Sequence, residues 1–161
     1  MLGLQKKVPP WITRQNIHKT PIRKFWEYVN MMFNKPDLER IKTLGPDRAC
    51  AEWVLRNGGK VIWADGGCTQ LWKIILHNNK YVDDRAMQAL EHGKNSLTNI
   101  QVSQCINVTD VGLKDLSVLT KLQTLILFNL SSVDNIEECI KQLRLSLPKC
   151  KIIDAEEKLQ N

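Results

Sequence analysis

One pattern recurs in this chain at a spacing of 26 residues, and it restricts the possible folds more than any other feature. Leu71, Ile74, Leu76, Asn79, Val82, Asp84, Met87 and Leu90 share their layout with Leu97, Ile100, Val102, Cys105, Val108, Asp110, Leu113 and Leu116, each 26 positions later. Leu122, Leu125, Leu127, Leu130 and Val133 continue the pattern at an offset of 25. A last half-copy is expected from Cys150, with Ile153 as its apolar position. The form L-x-x-L-x-L-x-x-N/C at this period is the signature of leucine-rich repeats. Each copy predicts a short strand, a tight corner and a helix. The corner turns backbone groups inward, away from ladder partners. Asparagine and cysteine are small and can hydrogen-bond there, so Asn79 and Cys105 are read as one buried corner position. Thr109 or Asp110 then caps the following helix.

A single repeat cannot bury its own apolar side, and about three stacked copies are the minimum for stability. Three copies therefore need caps. "FWEYVNMMF" reads as a short amphipathic helix stopping before Pro36. "KPDLERIKTLG" and "GPDRACAEWVLRNGG" read as helices with an acid at the start and glycine at the end, Pro46 in the first turn of the second. The expected fold class is α/β, a short leucine-rich-repeat solenoid of about three repeats with an N-terminal helical cap. The expected division is a leader over 1–24, a helical domain over 25–63, repeats over 71–153 and a polar tail over 154–161.

Charge separates the leader from the rest. Residues 1–26 hold six basic side chains (Lys6, Lys7, Arg14, Lys19, Arg23 and Lys24) and no acid. Residues 27–161 hold 17 of each sign, so the folded part carries no bulk basic charge for nucleic acid. A basic, acid-free leader is the composition of a mitochondrial transit peptide. A disordered basic tail or a nucleic-acid arm has the same composition, and Pro9, Pro10 and Pro21 would interrupt a long amphipathic helix. No apolar run approaches the 18 residues that a membrane span needs.

No reaction chemistry is legible. The five cysteines lack CxxC spacing, and their odd number suits a reducing compartment. His18, His77 and His92 make no metal-ligand spacing. Period-two geometry turns Trp72, Lys73, Ile75, His77 and Asn78 of the first repeat away from the core. Its equivalents are Thr98, Asn99, Gln101, Ser103 and Gln104, then Gln123, Thr124, Ile126, Phe128 and Asn129. Apolar Trp72, Ile75, Ile126 and Phe128 beside polar His77 and Gln101 point to a protein-binding face. The competing reading is that the cap or the tail folds over them. Arg48 could grip an acidic partner, or "GPDR" could be a plain cap and ion pair.

The segment "FNKPDLERIKTLGPDRACAEWVLRNGG", Phe33 to Gly59, resembles the N-terminal domain of the mitochondrial ATP synthase subunit s family, also called coupling factor B or distal membrane-arm assembly component 2-like. "YVDDRAMQAL" and "CINVTDVGLKDLSVL" extend the resemblance over about residues 25–153. Its specific block here is Gly45, Pro46, Asp47, Arg48, Glu52 and Trp53. The resemblance implies a non-enzymatic protein, peripheral on the matrix side of the mitochondrial inner membrane. Its partners would be ATP synthase or respiratory-complex subunits, and its role proton-coupled ATP synthesis or complex assembly. It also implies magnesium, held partly by backbone oxygen, at a position matching Gly58, although no cofactor is expected to be required. Two departures stand out. A segment longer than one repeat is lacking between Lys60–Trp63 and Leu71, and His77-Asn78-Asn79 replaces the family's Cys-x-Cys dithiol. Cysteine-type repeats also occur in F-box proteins, so a ubiquitin-ligase substrate adaptor is the alternative.

Overall fold

The computed structural model describes residues 25–154 apart from 26, 27, 30, 33, 67 and 69; the expected leader and most of the expected tail lie outside the described residues. Between 25 and 34 the described residues are helical. Helix α1 (Leu38–Leu44) starts where the Asp37 carboxylate accepts the Arg40 N–H. Gly45, at φ 84°, separates it from α2 (Pro46–Arg56), a bend that a Cβ would strain. Helix α2 ends at Asn57 and Gly58, the latter at φ 73°.

Five strands follow in sheet order β1 (Lys60–Trp63), β2 (Leu71–His77), β3 (Asn99–Ser103), β4 (Thr124–Phe128) and β5 (Lys151–Ile153). The repeat spacing becomes register: Ile74 aligns with Ile100, and Ile100 with Leu125. β2 to β5 are parallel, while β1 runs antiparallel to β2. The connection from Ala64 to Gln70 closes that hairpin, with the Ala64 N–H donating to the Gln70 carbonyl at 2.9 Å. The chain is therefore continuous in its sheet where a longer segment is expected in the family. The last half-copy departs from expectation by one residue. Ile152, not Ile153, aligns with Leu125 and is buried, which turns Ile153 to the opposite face.

Helices α3 (Asp84–Ala89), α4 (Asp110–Asp115) and α5 (Ile136–Ser146) return the chain after β2, β3 and β4. Their apolar sides join the inward strand residues in one core, in which Leu76, Val102 and Leu127 meet residues such as Met87, Leu113 and Ile140. Among the described residues, helices cover one face of the sheet and none covers the other. Among the described residues no helix is long and apolar enough to cross a membrane.

Asn79 and Cys105 do share the corner, both buried. Asn79 Oδ1 accepts from the N–H groups of Tyr81 and Val82, and its amide nitrogen donates to the Asn57 carbonyl. The Cys105 thiol faces the Ser103 carbonyl at 3.5 Å and that of Leu76 at 3.8 Å. Thr109 caps α4 by accepting the Val111 N–H. Asp110 instead reaches forward, accepting the N–H groups of Asp134 and Asn135 at 2.9 and 3.1 Å.

Candidate protein-binding face

Alternation along the strands sends every second side chain to the uncovered face, and register sorts these into rows. The first row is Ile62, Lys73, Asn99, Thr124 and Lys151. The second is Lys60, Ile75, Gln101, Ile126 and Ile153. The third is His77, Ser103 and Phe128. Ile75, Gln101 and Ile126 are thus direct neighbours, as are Ser103 and Phe128. Ile75, Gln101 and Ile126 are half-buried, and Phe128 is 37% exposed.

Several expected face residues sit elsewhere or are buried. Trp72 is 41% exposed but lies at the irregularity where Trp63 pairs with Leu71 and Ile62 with Lys73, off the three rows. Ser103 is buried, its hydroxyl 2.8 Å from His77 Nδ1 and receiving a 3.3 Å bond from the Gln101 amide. Asn78, Gln104 and Asn129 leave the strand altogether, taking φ of 49°, 55° and 51°. Such left-handed turns direct the backbone into the corner at a cost of about 1–2 kcal/mol each. The N–H of Asn78 donates to the Ser103 carbonyl and that of Gln104 to the Phe128 carbonyl. No glycine marks these turns, although asparagine at two of the three is a usable signal.

The Gly-Pro-Asp-Arg block builds the junction between helices and sheet. Pro46 opens α2 and brings Asp47 over the sheet, where its carboxylate accepts the Leu71 N–H at 3.1 Å and the Ser96 hydroxyl. Arg48 Nε donates to the Cys68 carbonyl at 3.1 Å. Arg40 grips Glu52 through both oxygens, at 2.6 Å for the shortest contact, with Arg56 at 3.7 Å. The Arg40 bond holds the Glu52 carboxyl below its usual range. Both partners are partly exposed, so solvent screens the pair and it adds little to stability. Trp53 packs half-buried against the core. A second tie lies further back: Asn34 donates to the Tyr81 carbonyl and to Asp83, at 2.6 and 2.9 Å. Asp47's partners lie 24 and 49 positions ahead in the chain, with no periodic signal to betray them.

Gly58 is a left-handed cap at the end of α2, with open space where a Cβ would point. Among the described residues no group of three or more His, Cys, Asp or Glu side chains could hold a metal. Gly58 itself has only its backbone oxygen to offer a magnesium ion, whose remaining oxygens would come from other groups or water.

The fold is mixed α/β, with helices packed on a five-stranded sheet. No protein-family model matches the chain. The rat (Rattus norvegicus) protein named ATP synthase subunit s, mitochondrial, is 30% identical, the match covering 81% of this chain and 86% of the relative. Proteins of the same name from Mus musculus and Bos taurus are 28% identical over the same shares. The chain belongs to the family of mitochondrial ATP synthase subunit s. The alignment runs over 172 positions while 81% of 161 residues is about 130, so about 40 positions face a gap in this chain. These relatives lend no support to a ubiquitin-ligase adaptor.

Proposed function

We propose that this chain is a non-enzymatic, mitochondrial, ATP synthase-associated factor that acts by protein contact. In this reading it is a short leucine-rich-repeat solenoid with a helical cap, peripheral on the matrix side of the inner membrane, entering the organelle by its basic leader. It supports proton-coupled ATP synthesis, needs no cofactor and binds no nucleic acid. The observation that carries the reading is the similarity to ATP synthase subunit s over four-fifths of the chain, 81%. The sheet face with Ile75, His77, Gln101, Ile126 and Phe128, and Trp72 beside it, is the docking surface. The Gly45–Trp53 block sets the cap against that sheet. Magnesium at Gly58 would be a stabilising ion with no part in contact. Affinity capture from detergent-solubilised mitochondria, with mass spectrometry of the captured subunits, tests the proposal. ATP synthase subunits are expected. Recovery of respiratory-complex subunits without ATP synthase would replace it with an assembly role.

A further inference from the structure

The strands of the sheet, β1 to β5, carry lysine but no acid. On the open face Lys73 and Lys151 stand in the first row and Lys60 in the second, which also carries Ile75 and Ile126, with Phe128 in the third. None of the three lysines makes a side-chain hydrogen bond or ion pair with a described residue. The nearest acids along the chain, Asp65 and Asp154, fall beyond the ends of β1 and β5. Residues 27–161 are balanced in charge overall, so a basic sheet face implies that the acids lie on helices and loops.

We propose that this face docks an acidic protein segment with apolar side chains at its centre; the inference rests on the docking surface proposed above and names the chemistry of its occupant. Carboxylates would meet the lysines at the two sides, and Leu or Phe side chains would cover Ile75, Ile126 and Phe128. Opposed potentials of this kind set specificity and speed association. They also exclude two other occupants. A second copy laid face to face would set lysine against lysine, and the leader of residues 1–26 carries six basic groups and no acid.

The test uses the full chain and a short fluorescein-labelled peptide in which Glu and Asp alternate with Leu and Phe, read by fluorescence anisotropy at low salt. Its counterpart carries Gln and Asn in place of the acids. The acidic peptide should bind at least about tenfold more tightly, and added salt should narrow the gap. Lys60→Gln, Lys73→Gln and Lys151→Gln together should abolish the preference, whereas Lys141→Gln on α5 should not. Lys→Glu at the same three positions should reverse it, and unchanged melting of either variant shows that folding is intact. Equal binding of the two peptides, binding of neither, or a preference that survives the triple change would overturn the inference. So would sedimentation with phosphatidylglycerol vesicles in place of peptide binding, which would assign the face to a lipid surface. If the triple variant still captures ATP synthase from mitochondria, the face is wrong and the proposed function stands. If the parent chain captures none while the peptide preference holds, the reverse is true.

Discussion

Gly112 lies against Asp84 so closely that a Cβ on Gly112 would come within 2.4 Å of the Asp84 carboxylate and 2.9 Å of its Cα. That carboxylate is already engaged, accepting the Thr109 N–H and hydroxyl at 2.7 Å each. Backbone on one side and a doubly bonded side chain on the other leave no route for relief. Gly112→Ala should destabilise the protein by about 1–3 kcal/mol, seen as a lower urea midpoint with unchanged slope. An unaffected midpoint would mean that α3 and α4 can separate freely.

Asp47 joins α2 to the start of β2 and to Ser96. Asp47→Ala leaves the Leu71 N–H without its acceptor, an expected cost of about 1–3 kcal/mol. Hydrogen exchange should quicken first at Leu71 and along β1. Acceleration spread evenly over all five strands would show the junction to be no more than an average contact.

Of the five cysteines only Cys68 is exposed. Burial pushes the Cys50 thiol up to about 12, with Asp47 adding to the rise. Cys139 and Cys150 are each pushed up to about 11, first by burial, and Cys105 is raised for the same reason. Since the thiolate is the reactive form, a disulfide reagent at pH 7.5 should find one fast thiol and four slow ones, buried Cys105 and Cys139 the slowest. A second fast thiol in the native protein would contradict this packing.

The Asp110 carboxyl is held down at about 2, chiefly by the Asp134 N–H, then by the Cys139 thiol and the Asn135 N–H. An unfolded aspartate titrates near 4. A carboxyl more acidic in the folded than in the unfolded chain stabilises the fold above about 4, and that contribution disappears as pH falls toward about 2. Asp110→Asn should therefore be less stable than the parent at pH 7, with the difference shrinking on acidification through that window. Urea midpoints across the range measure it; a constant difference would remove Asp110 from the acid response.

Phe128→Ala and Trp72→Ala should weaken capture of the partner while leaving the melting temperature nearly unchanged, because both rings are more than a third exposed. A large loss of stability would make them part of the core.

The offsets of 26 and 25 residues were enough to align Ile74, Ile100 and Leu125, because a repeated inward pattern admits one register that buries all copies. Other features were not legible. The antiparallel direction of β1 comes from where the chain enters the sheet, and nothing within "KVIW" encodes it. The one-residue shift to Ile152 reflects a half-copy too short to define its own phase. Asp47 and Asn34 act over separations with no repeating signal. The lysines of the open face were visible in the sequence, but their grouping emerges only when five strands lie side by side.

The left-handed corners carry a consequence for how such a chain can change length. Asn78 hands its N–H to Ser103 and Gln104 to Phe128, just as Asp84 serves Thr109 and Asp110 serves Asp134. Each of these bonds reaches only to the adjoining unit. If the chain is the solenoid proposed above, energetic coupling runs between nearest neighbours. Material can therefore be removed between units as long as the new neighbours offer the same acceptors. The joints described between these units are closed, although about 40 positions of the rat relative face a gap in this chain.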